Sequence, residues 1–365
     1  MLQILEGSTY KSCQSPNYNY FFRKKDGVFL EWGATKDEDP THAPFPNLVD
    51  LEISKVVDEN FIVDKNKYNV VDKGCNGCEF CYKLANKGQK TISMKTKTFD
   101  TLMSKLNKNR GICQCAIGIN QISTCPDFWN IIKNCRNKHS VVPNYTTRGE
   151  DLTERDYKNT AKYCGAVAIS YSDRDTTYNT VQKFIFHGTK QTNIHYMISH
   201  ETLNKCYKVM DNCRSDKRLR NLNALVLLMF KNKTTNTFTT ITDVKIYKKL
   251  IDYAKKLKIP LGFDSCSAYN YLRAIQGEEN YETQSQYVTS CCAARSSSYI
   301  NIFGEYHACS FLEGREEWGG GLNVLEADDF IRDIWNHPQT VKFREKNIRC
   351  SREMSNPCKY FDKTQ

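Results

Sequence analysis

Short apolar runs alternate with amphipathic stretches between residues 68 and 265, and this order is the strongest constraint on the fold. The apolar runs have the composition of strands, whereas the stretches between them carry apolar residues at helical spacing. The predicted strands are 68–74, 113–119, 140–147, 166–172, 192–199, 224–230 and 260–265. The predicted helices are 99–109, 126–138, 153–164, 177–186, 201–213 and 243–257. Strands that alternate with helices form βαβ units, so the sequence predicts an α/β protein whose parallel sheet is an open or complete barrel.

The two ends of the chain lack this alternation. Residues 18–33 predict a β-hairpin with Asp-Gly at its turn. After residue 265 the helices and strands no longer alternate, and cysteines become frequent. We therefore expect three parts: a β-rich N-terminal extension over 1–66, the barrel over 67–265, and a small cysteine-rich subdomain over 266–365.

The chain has 17 cysteines among 365 residues, and we expect them to be reduced. The N-terminus lacks the basic start and long apolar core of a signal peptide, and no run approaches the roughly 18 apolar residues of a membrane span. The expectation is a cytoplasmic protein without membrane contact, in which clustered cysteines favour metal binding or catalysis over disulfides. Six cysteines lie within apolar or amphipathic runs and are expected to pack as small hydrophobic side chains: Cys113, Cys115, Cys135, Cys164, Cys206 and Cys213.

The stretch GCNGCEFCYK, residues 74–83, is the strongest candidate for chemistry, and we call it the three-cysteine segment. It places Cys75, Cys78 and Cys81 at even spacing directly after a predicted strand, where βα-loops carry active groups. A structural zinc site uses four ligands, and a thioredoxin-like redox motif uses two cysteines. Three thiolates on a four-iron cluster would leave one iron open to another ligand. The spacing favours an iron–sulfur cluster, with zinc as the alternative.

The three-cysteine segment resembles the signature of the radical S-adenosylmethionine superfamily, in which an aromatic residue precedes the third cysteine, as Phe80 does here. The gap between the first two cysteines is one residue shorter than in that family. The stretches GIN (118–120) and ISYSD (169–173) stand where the family has Gly-Gly-Glu and a polar residue at the fourth strand. The resemblance covers about 68–265 and implies a partial (βα)6-type barrel.

This resemblance also implies the cofactors and their ligands. Cys75, Cys78 and Cys81 would hold a [4Fe–4S] cluster, and reductive cleavage of S-adenosylmethionine would give a 5′-deoxyadenosyl radical that abstracts hydrogen from a substrate. A flavodoxin-type or ferredoxin-type protein would supply the electron. The residues expected to bind S-adenosylmethionine are Phe80, Tyr82, Gly118, Asn120, Ser170, Asp173 and Ser199. Phe80 and Tyr82 are equally compatible with ordinary packing at the barrel mouth. For His195 and His200, packing is favoured over a ribose contact.

The C-terminal part resembles the twitch or SPASM extension of the same superfamily. The stretch 291–314 ends in Gly-x4-Cys, from Gly304 to Cys309. The resemblance implies a second, auxiliary [4Fe–4S] cluster, with candidate ligands Cys266, Cys292, Cys309, Cys350 and Cys358. The chain as a whole also resembles radical S-adenosylmethionine proteins of phages and their bacterial hosts, most of which have no assigned function.

Three functions remain open at this point. The first is radical modification of a peptide or protein side chain, as in many relatives with such an extension. The second is radical modification of a nucleotide or nucleic acid, because residues 205–258 hold 14 Lys and Arg against 4 Asp in a chain of net charge +11. This basic region is also compatible with a solvated helix face. The third is a metal-binding module without catalytic activity that uses its cysteines for zinc.

Overall fold

The computed structural model describes residues 2–36, 38–75, 81, 83, 90–231 and 237–356. These residues form a ten-stranded central sheet, a four-stranded antiparallel sheet at the N-terminus and a three-stranded antiparallel sheet. No helix among them is both long enough and apolar enough to cross a membrane.

The N-terminal sheet consists of four antiparallel strands in chain order: β1 (Gln3–Glu6), β2 (Tyr10–Gln14), β3 (Asn19–Arg23) and β4 (Phe29–Trp32). β3 and β4 confirm the predicted hairpin, and Gly27 in its turn has a φ of 72°, which glycine adopts without strain. The buried Lys11 donates to Ile112 O at 2.7 Å and Ser140 O at 3.1 Å. Because these carbonyls precede two parallel strands of the central sheet, Gln114–Gly118 and Val142–Thr147, the N-terminal sheet lies at the amino-terminal edge of that sheet.

The first strand of the central sheet is β5 (Leu48–Glu52), and it is followed by the three-stranded sheet. The strands of that sheet are β6 (Ser54–Val57), β7 (Tyr68–Val71) and β8 (Lys90–Met94), and β8 lies between the other two. The prediction of a strand at 68–74 is confirmed, but its assignment as the first parallel strand is wrong. The chain inserts β6, β7 and β8 between β5 and the first helix, so the βα alternation does not become visible until after β8.

Six helices and six parallel strands then alternate, as the sequence predicts. They are α1 (Thr96–Leu106), β9 (Gln114–Gly118), α2 (Phe128–Asn137), β10 (Val142–Thr147), α3 (Glu154–Tyr163), β11 (Ala166–Ser170), α4 (Arg174–Phe186), β12 (Gln191–Ile198), α5 (Leu203–Ser215), β13 (Ala224–Met229), α6 (Val244–Leu257) and β14 (Leu261–Phe263). Thr153 caps α3 in a reciprocal capping box with Asp156. The α/β class and the partial barrel are confirmed. The described sheet runs from β14 at one edge to β17 at the other, and these two edge strands do not pair with each other.

The C-terminal part returns to the same sheet. It contains α7 (Ala268–Ile275), α8 (Tyr281–Ser285), β15 (Ser297–Ile300), β16 (Glu305–His307), β17 (Leu322–Asn323) and α9 (Pro338–Arg352). β15 is parallel to β5, with Ser297 opposite Leu48, and β16 and β17 continue the sheet antiparallel. Strands from the expected N-terminal and C-terminal parts therefore pair directly with each other, while the boundaries at residues 66 and 265 remain predictions.

Candidate active site

One face of the parallel sheet is polar. Val49 and Leu51 of β5 pack in the hydrophobic core with the helices, so Asp50 and Glu52 lie on the opposite face. We call this opposite face of β5 and β9–β12 the inner face. Its polar and small residues are Asp50, Glu52, Gln114, Ala116, Gly118, Asn144, Thr146, Ala166, Ala168, Ser170, Gln191, Asn193 and His195. A parallel sheet covered on both faces consists of nearly continuous apolar runs, so a polar face with alanine and glycine indicates a ligand-binding surface.

The three-cysteine segment is described only in part. Cys75 and Cys81 are half-buried free thiols, and Cys78, Phe80 and Tyr82 lie outside the described residues. The segment leaves β7, which is antiparallel, and not the first parallel strand as the sequence suggested. The next described residue after Cys81 is Lys83, and its side chain contacts the central sheet.

Lys83 ties the end of the three-cysteine segment to the central sheet. Its Nζ lies 3.1 Å from Glu52 Oε1, at the carboxyl end of β5, and 2.5 Å from Glu313 Oε2, and it also donates to Tyr299 Oη. The Tyr299 hydroxyl lies 3.2 Å from Glu52 Oε2 and 3.1 Å from Glu313 Oε2. Burial alone would raise the pKa of Glu313, but Lys83 and Lys55 outweigh burial and lower this pKa to about 2. Lys83, the last residue of the segment, is thus held at the carboxyl edge by ion pairs.

The expected S-adenosylmethionine site at the end of β9 has a polar group available. Gly118 is opposite Glu52 in the sheet, and the backbone N–H of Asn120 donates to Ser54 Oγ at 2.8 Å. The side-chain Nδ2 of Asn120 is buried and has no hydrogen-bond partner among the described residues. A buried amide donor without a partner is costly, and an oxygen acceptor on a bound ligand would satisfy it.

The other expected cofactor contacts have local roles in the structure. Ser170 ends β11 on the inner face, opposite His195. Asp173 caps α4 by accepting from the backbone N–H of Thr176 at 2.9 Å, and this bond lowers the pKa of its carboxyl. Ser199 is fully buried, and its Oγ accepts from the backbone N–H of Thr202 at 3.2 Å. Their contact with S-adenosylmethionine remains a prediction.

His195 lies on the inner face in an environment that keeps it neutral. Burial lowers the pKa of His195 to about 4, and the carboxylate of Asp264 offsets only part of this effect. The imidazole is therefore uncharged near neutral pH and can donate or accept a hydrogen bond within the site.

Two of the auxiliary-cluster candidates, Cys266 and Cys309, lie near Lys231. Cys266, Cys292 and Cys309 are half-buried, and burial raises the pKa of each thiol. Burial would lower the pKa of Lys231, but Cys266, Asp264 and Cys309 outweigh it and raise this pKa. Lys231 Nζ donates to Asp264 Oδ2 at 3.1 Å, two residues before Cys266.

The described thiols do not form a complete ligand set. Among the described residues, no three Cys, His, Asp or Glu side chains are arranged to hold a metal ion. Cys350 is half-buried on α9, and Cys358 lies outside the described residues. Cys291 is buried near Asn347 Nδ2, whereas Cys292 accepts from Ser297 Oγ at 3.1 Å. The six cysteines expected to be packing residues are all buried or half-buried against the hydrophobic clusters, which confirms that prediction.

Comparison with solved structures identifies the fold. The chain aligns with Streptococcus suis SuiB bound to the precursor peptide SuiA at 13% identity and a TM-score of 0.68, over 99% of this chain and 94% of SuiB. It aligns with SuiB bound to S-adenosylmethionine at 15% identity and a TM-score of 0.59, over 87% and 72% of the two chains. It aligns with native anSMEcpe with bound AdoMet and the Cp18Cys peptide at 13% identity and a TM-score of 0.58, over 88% of this chain and 92% of anSMEcpe.

Both SuiB and anSMEcpe were solved with S-adenosylmethionine bound, and the resemblance seen in the sequence is confirmed for the fold. No protein family and no curated protein matches the sequence. Sequence reasoning missed Asp50, Glu52, Lys83 and Lys231 as site residues. The alternation in LVDLE over 48–52 is the signal that could have revealed the first two.

Proposed function

We propose that the protein is a radical S-adenosylmethionine enzyme that modifies a side chain of a peptide or protein. The observation that carries the proposal is the attachment of the three-cysteine segment, through Lys83, to the carboxyl edge of a parallel sheet with a polar inner face. Active sites of α/β barrels lie at this edge. The fold shared with SuiB and anSMEcpe supports the same assignment.

Cys75, Cys78 and Cys81 would hold the [4Fe–4S] cluster, and the donor set fits because three thiolates leave one iron for another ligand. One-electron cleavage of S-adenosylmethionine to a 5′-deoxyadenosyl radical is the chemistry that the cluster supplies in this family. Asn120 Nδ2 would donate to an oxygen of S-adenosylmethionine, which would satisfy its buried amide. The inner face would orient the substrate and exclude bulk water, so that the radical meets only the intended hydrogen atom.

The peptide substrate is proposed from the neighbours. SuiB was solved with the precursor peptide SuiA and anSMEcpe with the peptide Cp18Cys, and the chain covers nearly the whole of both. We further propose an auxiliary [4Fe–4S] cluster held by Cys266, Cys292 and Cys309, with Cys350 or Cys358 as a further ligand. The cluster requires a low-potential electron donor, and we propose a flavodoxin-type or ferredoxin-type protein for this role. We also propose a cytoplasmic location.

Nucleic acid is the weaker candidate substrate. Several cations of the basic region are already paired: Lys248 with Asp252 and Glu278, Lys255 with Glu278, and Arg218 with Asp175 and Asp216. This pairing supports a solvated helix face. If nucleic acid were the substrate, binding of RNA or DNA would fall steeply with salt concentration, whereas binding of a peptide would not.

The direct test is anaerobic reconstitution with iron and sulfide, followed by measurement of 5′-deoxyadenosine after reduction. The wild type is expected to form it, Cys78→Ala to lose it, and Cys213→Ala, which changes a packing thiol outside the site, to retain it. A colourless protein with stoichiometric zinc would establish the metal-binding module instead. Retention of full activity in Cys78→Ala would refute the cluster ligands.

A further inference from the structure

Asp50 is an acid on the inner face, at the centre of β5. It lies on β5 between Ala116 of β9 and Tyr299 of β15, its partners in the two neighbouring strands. Ala116 is small, and the residues next to it on the same face of the sheet include Gly118. Asp50 is half-buried and lies two residues before the carboxyl end of the strand.

The carboxylate of Asp50 is unpaired among the described residues. Within the part of the chain that the structure describes, no hydrogen bond or ion pair reaches it, and burial is the single influence on its pKa, which rises to about 6. Glu52, two residues further on the same face, is in contrast engaged by Lys83, by the Tyr299 hydroxyl and by the backbone N–H of Ile302. Buried carboxylates are normally paired, so an unpaired one indicates a role other than stability.

The cations described at the site are not available to Asp50. Lys83 is held by Glu52 and Glu313, and Lys231 is held by Asp264. The charge of Asp50 is therefore uncompensated among the described residues, and it contributes to the raised pKa of the nearby thiols of Cys115, Cys292 and Cys309. A cationic group on a bound molecule would correct this imbalance.

We infer that Asp50 recognises the substrate, by pairing with a cationic group, a lysine or arginine side chain or an amino terminus, that lies against the inner face. This inference rests on the proposed function and narrows its substrate class to peptides with a positive charge at or near the modified residue. His195 on the same face is uncharged near neutral pH, so it adds no positive charge that would oppose the cationic group. Asp50 acts here as a binding and specificity-determining residue.

The experiment uses two peptide libraries as probes, identical except that one has lysine and the other norleucine at the central position. The reconstituted enzyme receives reductant and S-adenosylmethionine, and peptide-dependent 5′-deoxyadenosine and mass changes of the peptides are measured. The wild type is expected to prefer the lysine library about tenfold or more, because a charged hydrogen bond contributes about 1.5–3 kcal/mol. Asp50→Asn is expected to lose this preference, and its iron content and circular dichroism establish that it is folded.

Glu31→Gln is the matched control, because Glu31 is also a partly buried acid with a raised pKa but belongs to the N-terminal sheet, where it accepts from Tyr18 Oη at 3.1 Å. It should keep the preference of the wild type. A wild type that treats both libraries alike, or an Asp50→Asn enzyme that still prefers lysine, overturns the inference. Failure of the proposed function looks different: no 5′-deoxyadenosine forms with or without peptide.

Discussion

Lys83 Nζ lies 3.1 Å from Glu52 Oε1, and this ion pair joins the three-cysteine segment to the end of β5. The two residues are 31 positions apart in the sequence, and β6 and β7 of the three-stranded antiparallel sheet lie between them. In a barrel without such an insertion, the first strand itself delivers the following loop to the carboxyl edge. Here the ion pair replaces that direct connection.

Loss of Lys83 should be costly. Lys83→Met leaves the buried Glu52 without its cation and Glu313 with Lys55 alone, and we expect a loss of about 3 kcal/mol in the free energy of unfolding. Lys55→Met is the matched control, because Lys55 pairs with Glu313 alone and is more exposed, so it should cost about 1 kcal/mol. Urea denaturation measures both, and iron retained per chain should fall further in Lys83→Met. Equal losses in the two variants would contradict the assigned role.

Asp50 should destabilise the folded protein in a pH-dependent manner. Its pKa is raised from 3.8 to about 6, so between these values the folded state holds a proton that the unfolded state has released. The free energy of unfolding therefore decreases as the pH rises through this window, because the carboxyl group must lose its proton in a buried place. Above the window the destabilisation by the charged Asp50 is complete. Asp50→Asn should raise the thermal midpoint at about pH 7.5 and have less effect near the lower end of the window.

Asp173→Ala serves as the comparison for this measurement. Its carboxylate caps α4, and the pKa is lowered, so its removal should decrease the midpoint near neutral pH. Thermal unfolding of both variants at several pH values checks the two signs. A lower midpoint for Asp50→Asn at about pH 7.5 would show that the carboxylate is stabilised in the fold after all.

Iron content distinguishes one cluster from two. With the proposed auxiliary cluster, the reconstituted wild type should bind about eight iron atoms per chain, and the combined variant Cys75→Ala, Cys78→Ala, Cys81→Ala about four. Cys309→Ala in the same background should remove the rest, whereas Cys206→Ala, a buried packing thiol, should not. Iron analysis with visible absorption measures each step. A combined variant that binds no iron would eliminate the auxiliary cluster.

Asp156 should contribute more to stability than an ordinary helix cap. Its carboxylate completes the capping box with Thr153 and accepts from Trp129 Nε1 at 2.6 Å. Thr153→Ala should cost about 1 kcal/mol, and Asp156→Ala about 2–3 kcal/mol because it also leaves the buried indole N–H without a partner. Chemical denaturation gives both values. Similar costs for the two variants would indicate that water satisfies the indole.

The sequence predicts the repetitive part of this fold well and its connections poorly. Each predicted helix from 99–109 to 243–257 overlaps an observed one, because their apolar spacing reflects local packing on one sheet face. β5 was missed as a parallel strand because Asp50 and Glu52 give it the alternation of a strand with one polar face, and no helix follows it directly. The Lys83 cluster depends on residues from three distant parts of the chain, which no local pattern reveals.

The pairing of β15 with β5 also sets an order of assembly. Until residues 297–300 have been synthesised, the outer edge of β5 exposes unpaired backbone groups, the condition in which sheets associate with other chains. The strand that carries Asp50 is thus among the first made and among the last enclosed, and contacts of such long sequence separation slow folding. Most of the chain must therefore have been synthesised before the central sheet can be completed around β5.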